Sequence, residues 1–327
     1  MAHCLVTGGA GFIGSHLVEG LLRRGHRVRV LDDFATGTPH NLQAVEAQLA
    51  REGIPYALEV VEGSILDPQA VAAAMAGIDY VFHQAALPSV AFSLQDPLRS
   101  NRVNVEGTLC VLLAARDAGV RRLIYAGSSS AYGDSPELPK REDLPPNPLS
   151  PYAVAKLTGE HYCRLFTQLY RLETVTLRYF NVFGPRQNPD SQYAAVIPKF
   201  ITALLRHEPL PLFGDGLQSR DFTYVDNVVH GNLLAMTAPE VAGQVLNVAN
   251  GSRTTLRQLI AYLEELTGRR AEVAVLPPRP GDVRHSQADI TRAKTLLGFE
   301  PLVDVKEGLA RTLKYYQQRL AVSPPCT

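Results

Sequence analysis

The segment TGGAGFIGS, residues 7–15, follows an apolar run, Cys4 to Thr7, and opens a stretch in which Ile13, Leu17, Val18, Leu21 and Leu22 share one face. Apolar residues three and four apart predict a helix, and the preceding run predicts a buried strand. Between them the glycines at positions 8, 11 and 14 let the chain turn tightly and let its backbone approach a pyrophosphate, towards which the helix N-terminus directs unpaired N–H groups. Eighteen residues past Gly14, at the end of the next strand-like run, stands Asp32. A carboxylate there accepts hydrogen bonds from an adenosine ribose and repels a 2′-phosphate. Strand, glycine turn, helix, strand and acid in this order predict a dinucleotide site for NAD rather than NADP.

The same rhythm continues outward. Val28 to Asp32, Ala57 to Glu62, Tyr80 to His83, Leu123 to Ala126 and Thr174 to Arg178 read as strands separated by helix-length segments. Such alternation requires crossovers, so the expected fold class is α/β, a doubly wound parallel (Rossmann) sheet with a smaller α/β domain that binds substrate. From Asn181 the rhythm breaks into Pro- and Gly-punctuated pieces, and Val225 to Val248 returns to it. The expected division is therefore 1–180 plus 222–250 for the dinucleotide domain and 181–221 plus 251–327 for the other. The proline-rich stretch Ser135 to Pro151 is a long connection, of the kind more often functional than idle.

The chain has 327 residues, 32 basic and 32 acidic, and so no net charge with which to attract a nucleic acid or an anionic membrane. Any anion must be gripped locally. Arginine supplies most of the positive charge, 26 residues against 6 lysines. The cysteines, Cys4, Cys110, Cys163 and Cys326, are scattered, and the nine histidines show no HExxH or paired spacing. No metal site or disulfide framework is expected. No apolar run reaches the roughly 18 residues that span a bilayer, and no signal peptide is evident, so a cytoplasmic protein is expected.

Tyr152 and Lys156 stand four apart in a helical pattern that begins at Pro151, so both point from one face. An ammonium beside a phenol favours the phenolate, which would make Tyr152 a base near neutral pH, with Lys156 lowering its pKa. The strand Leu123 to Ala126 runs into Gly127 and three serines, Ser128, Ser129 and Ser130. Ligands of open parallel sheets bind beyond the strands' carboxyl ends, which places these hydroxyls at the site, to relay a proton, to hold a substrate oxygen, or to cap the turn.

These motifs resemble the extended short-chain dehydrogenase/reductases that act on nucleotide sugars. The resemblance rests on TGGAGFIGS, Asp32, HQAALPSV (83–90), NVEGT (104–108), AGSSSAYGD (126–134), SPYAVAK (150–156), LRYFNVFGPRQ (177–187), YAAVIPKF (193–200), GDGLQSRDFTYVDN (214–227) and RPGDVRHSQAD (279–289). The UDP-hexose 4-epimerases, particularly those acting on UDP-N-acetylglucosamine, are the most similar subgroup. The resemblance implies NAD contacts at Gly8, Gly11, Phe12, Ile13, Asp32, Asp33, Ser64, Ile65, Gln84, Ala85, Ala86, Asn104, Tyr152 and Lys156. It implies UDP-sugar contacts at Ser89, Ser128, Asn181, Val196, Arg220, Arg279, Asp282 and Ser286. Catalysis falls to Tyr152, Lys156, Ser128 and Ser129. Ser64 replaces an aspartate that such proteins often aim at the adenine amino group.

Guanidinium forks suit a diphosphate, which agrees with Arg220 and Arg279 in that role. The resemblance also implies that Ser286 faces the sugar 2-substituent, where a small side chain leaves room for an N-acetyl group, and that two copies pair through the helices around Leu98 to Gly119 and Tyr152 to Tyr170. Related 4,6-dehydratases and UDP-glucuronate decarboxylases carry a carboxylate where this chain has Ser129 and Ser130. A non-catalytic NAD sensor is the remaining alternative, against which the Tyr152/Lys156 pair counts.

Overall fold

The computed structural model describes residues 1–189, 195–277 and 283–322. Seven strands form its central sheet: β1 (His3–Thr7), β2 (Arg27–Asp32), β3 (Ala57–Glu62), β4 (Tyr80–His83), β5 (Arg122–Ser128), β6 (Glu173–Tyr179) and the strand Gln244–Val248. All pairs are parallel. Every strand expected from the sequence is present. The spatial order is β3-β2-β1-β4-β5-β6 and then Gln244–Val248, so the winding reverses between β1 and β4. At that switch point the crossover helices leave on opposite faces and open a crevice beyond the strand ends. β1, β4 and β5 are buried on both faces, as a parallel sheet covered by helices requires.

The connecting helices are α1 (Phe12–Leu22), α2 (Pro39–Arg51), α3 (Pro68–Met75), α4 (Val90–Gln95), α5 (Pro97–Asn101), α6 (Gly107–Asp117) and α7 (Pro151–Tyr170). Between α5 and α6 the chain makes one π-helical turn, Arg102–Glu106. α7 starts where the sequence says it should: Ser150 accepts from the Ala153 N–H and Pro151 fills the first turn, a cap of about 1 kcal/mol. α8 (Val196–Leu205) belongs to the irregular part, and α9 (Val225–Thr237) leads back to the sheet.

Two apolar clusters flank the sheet, and a third gathers Phe183, α8, Leu210, Leu212, Phe222, Leu256–Leu263 and Val303–Tyr316. Ala288, Ile290, Ala293, Leu297 and Phe299, within the stretch expected to belong to the second unit, pack into the cluster beneath the large sheet instead. They do so because the helix Thr291–Leu297 lies against α9 and the strand Gln244–Val248. Among the described residues no helix is long and apolar enough to cross a membrane.

Candidate active site

The carboxyl ends of β1, β2, β4 and β5 bring Thr7, Asp32, His83 and Ser128 to one edge of the sheet. The glycine turn lies across it. Gly8 has φ +70°, and a Cβ there would stand 2.6 Å from the Ala85 nitrogen; one on Gly14 would stand 2.1 Å from the Gly8 oxygen. α1 has Gly11 at its N-cap and no side chain capping it, so the first-turn N–H groups of Phe12 and Ile13 have no acceptor within the helix. Asp32 is buried and accepts from Ala10 N and Phe34 N, both at 2.9 Å. Burial pushes its carboxyl above the usual range while those two bonds oppose the shift. Asp32 therefore clamps the glycine turn, and its remaining lone pairs can still accept. Asp33 accepts from Ala35 N at 3.1 Å. An uncapped helix end, glycines that a Cβ would jam and a buried ribose-type acid fit NAD.

A buried polar chain that sequence reasoning missed lines the next strand end. Thr108 donates to the Asn104 carbonyl at 2.8 Å, which leaves its hydroxyl oxygen to accept from His83 Nε2 at 2.9 Å; His83 Nδ1 then accepts from Thr7 at 2.7 Å. Burial pushes His83 down to about 3, with Lys156 adding to the shift. Asn104, in the π turn, accepts from Leu87 N and donates to Leu87 O, holding the loop that carries Gln84, Ala85 and Ala86. Gln84 donates to the Tyr179 hydroxyl at 3.0 Å, and Ala85 N to Thr7 Oγ1. Ser64 accepts from Leu66 N in its own turn, and Ile65 packs against Gly107.

Tyr152 is fixed at the start of α7, its N–H donating to the buried Ser93 hydroxyl at 3.1 Å. Ser130 donates to Ser128 Oγ at 2.8 Å, which frees the Ser128 proton for the Tyr152 phenol. Lys156 donates to the Ala126 carbonyl at 2.9 Å and lies 5.0 Å from the centre of the Tyr125 ring. One expectation is corrected here. Tyr152 lies above, not below, the usual phenol range, because burial dominates and only the Ser128 hydrogen bond opposes it. Lys156 is pushed down to about 8 by the same burial. Lys156 is buried and Tyr152 half-buried, and the loss of water favours the neutral form of each. Ser129 begins the short 3-10 turn Ser129–Tyr132, half-buried beside them.

Across the crevice a cavity of about 320 Å³ is lined by Asn181, Val196, Lys199, Arg220 and the rings of Phe183, Phe200, Phe213 and Phe222. Three of the expected substrate residues, Asn181, Val196 and Arg220, thus come together. Asn181 takes φ +32° and donates to the Asp221 carbonyl at 3.4 Å. Ser286 is placed by its N–H, which donates to Ser219 O at 3.1 Å, next to Arg220. Ser89 caps α4 by accepting from Phe92 N at 3.0 Å. Arg279 and Asp282 lie outside the described residues.

Residues 4–249 match the NAD dependent epimerase/dehydratase family. The chain is 40% identical over 322 residues to a UDP-glucose 4-epimerase of Mycolicibacterium smegmatis, covering 96% of this chain and 98% of that one. It superposes with TM-score 0.90 on the UDP-glucose 4-epimerase of Thermotoga maritima solved with UDP-glucose, at 40% identity, covering 97% and 99% of the two chains. The UDP-N-acetylglucosamine 4-epimerase of Methanobrevibacter ruminantium, in complex with UDP-N-acetylmuramic acid, gives 0.90 at 37% identity, with 97% and 99% covered.

Proposed function

Because the chain belongs to the NAD dependent epimerase/dehydratase family, we propose that it is an NAD-dependent UDP-sugar 4-epimerase that interconverts UDP-N-acetylglucosamine with UDP-N-acetylgalactosamine and UDP-glucose with UDP-galactose. The observation that carries this reading is the hydroxyl chain Ser130 to Ser128 to Tyr152 at the crevice. It moves a proton at a sugar hydroxyl, and Ser129 and Ser130 stand where an elimination enzyme needs a carboxylic acid. Tyr152 takes the proton of the 4-hydroxyl, with Ser128 holding the same oxygen, and returns it to that oxygen once the 4-keto sugar has turned about its diphosphate link and presents its opposite face. Lys156, anchored on Ala126 O, has two further N–H donors for the nicotinamide ribose. Bound NAD would supply the hydride acceptor at C4, in its reduced form the hydride that goes back to the opposite face of C4, and a positive ring that favours the phenolate. Arg220 and Arg279 grip the diphosphate, and the aromatic cavity takes the uracil.

Ser286, a small residue at the sugar's 2-position, admits the N-acetyl group. Exposed leucines and valines on α5, α6 and α7 support a homodimer, and the free thiols Cys4, Cys110 and Cys163 accord with a cytoplasmic setting. The test incubates purified protein, without added NAD, with UDP-N-acetylglucosamine or UDP-glucose and resolves the 4-epimers by NMR. Both pairs equilibrate in wild type, and neither in Tyr152→Phe, which retains NAD; Ser286→Tyr loses only the N-acetyl pair. Failure of wild type to epimerise either sugar refutes the proposal.

A further inference from the structure

We infer that Asp221 is the positioning residue of the UDP-sugar side of the site: its buried carboxylate holds the chain segments that carry Arg220, Asn181 and Ser286 in one arrangement. The inference rests on the reading of those three residues as substrate contacts. Asp221 is fully buried. One carboxylate oxygen accepts from Asn250 N at 3.0 Å, and the other from Gly251 N at 3.1 Å and Ala288 N at 3.0 Å. Its carbonyl accepts from Asn181 Nδ2, and its neighbour Ser219 exchanges backbone bonds with Arg284 and Ser286. One side chain thus joins the segment after the last sheet strand, the segment bearing Ser286 and the segment bearing Arg220.

No cation pairs with this carboxylate among the bonds described, although taking a charge out of water is costly unless it is matched. Burial pushes Asp221 up to about 7, with its three N–H bonds opposing. The charged groups on the segments packed around it are Arg220, Arg253, Arg284, His285, Asp289 and, on the segment paired with Ala288, Lys140, whose ammonium bonds the Ser135 carbonyl. Arg284 pairs with Asp215, His285 bonds Ser219 and Asp289 accepts from Thr291 N. A carboxyl group raised in the folded protein contributes most to stability at low pH, and that contribution is lost as pH rises through about 7. Protonation nevertheless converts an acceptor into a donor facing an N–H. Substrate grip therefore weakens as pH falls while this group's stability term strengthens, and opposite signs separate positioning from unfolding.

The experiment uses the NAD-containing enzyme and measures UDP-glucose affinity by calorimetry, with KM and kcat, from pH 6 to 8.5, in wild type and Asp221→Asn. The amide keeps the shape but offers one acceptor oxygen instead of two. Expected is a KM raised about tenfold in Asp221→Asn at pH 8, a fold-change of the size of one lost buried hydrogen bond. kcat changes by less than about threefold and NAD content is unchanged. Wild-type affinity falls below pH 7, whereas the variant's is flat. The wild-type profile decides alone if the variant does not fold. A flat wild-type profile, equal KM in both proteins, or a joint loss of KM, kcat and NAD overturns the positioning role. Absence of UDP-glucose binding by wild type at every pH overturns the functional reading as well.

Discussion

His83 shows what a single side chain contributes here. Its two ring nitrogens are both committed, one to Thr7 and one to Thr108, so the ring is held neutral at the end of β4 and couples the glycine turn to the π turn. Its folded pKa, about 3, lies below the unfolded value near 6.5. A group depressed on folding contributes its full stability above 6.5 and loses it as pH falls towards 3. The loss is at most roughly 4 to 5 kcal/mol. Urea unfolding at pH 7.5 and pH 4 should show a larger acid loss in wild type than in His83→Gln, which keeps a donor and an acceptor without the titration. Equal losses would assign the acid sensitivity elsewhere. No spacing in the sequence distinguishes this histidine from the other eight, because its partners sit 76 and 25 residues away.

Two helices carry most of the site, and each depends on a glycine that admits a close approach. In α1, alanine at position 14 would ordinarily favour the helix by about 1 kcal/mol. Here its Cβ would meet backbone, the Gly8 oxygen at 2.1 Å and the Gly9 Cα at 2.9 Å, which cannot swing aside. Gly14→Ala is expected to lower stability by about 1–3 kcal/mol and to abolish co-purified NAD. Thermal melting and cofactor release check it, and a variant that melts higher and keeps its NAD would contradict this geometry. In α7, Gly159 plays the same part: a Cβ would stand 2.2 Å from the Tyr125 hydroxyl. Its absence lets the helix settle onto β5, and the Lys156 ammonium thereby reaches Ala126 O. The helical pairing of Tyr152 with Lys156 was legible from the four-residue interval. The closeness of α7 to β5 was not, because it is set by a strand more than thirty residues upstream.

At the scale of the molecule, α4, α5 and α6 pack on α7 and leave an apolar face: Leu94, Leu98, Val154, Leu165 and Leu169 are between 43% and 83% exposed. Contiguous patches of this kind mark association surfaces, and a twofold pairs a patch with itself. Sedimentation should give a dimer for wild type and a monomer for Leu98→Glu/Leu169→Glu. A monomeric wild type would refute the pairing. Such a dimer would buttress α7 at Tyr152 from behind, without adding a residue to the crevice.

What the sequence determined is local and periodic. Alternating apolar runs placed all six strands of the first half, glycine spacing marked the turn between β1 and α1, and Asp32, Tyr152 and Lys156 were nominated by their distance from neighbouring signals along the chain. The tertiary structure alone decided the rest. Solvent exclusion reversed the expected shift of Tyr152, since burial is a property of everything packed around the phenol and outweighs a favourable neighbour. Asp221 read as one acid in a motif until Asn250, Gly251 and Ala288 turned their N–H groups to it. Likewise, Ala288 to Phe299 joined the sheet's core because α9 and the last strand left apolar surface there to cover. Dielectric and packing depend on which distant residues meet, and no window along the chain contains that information.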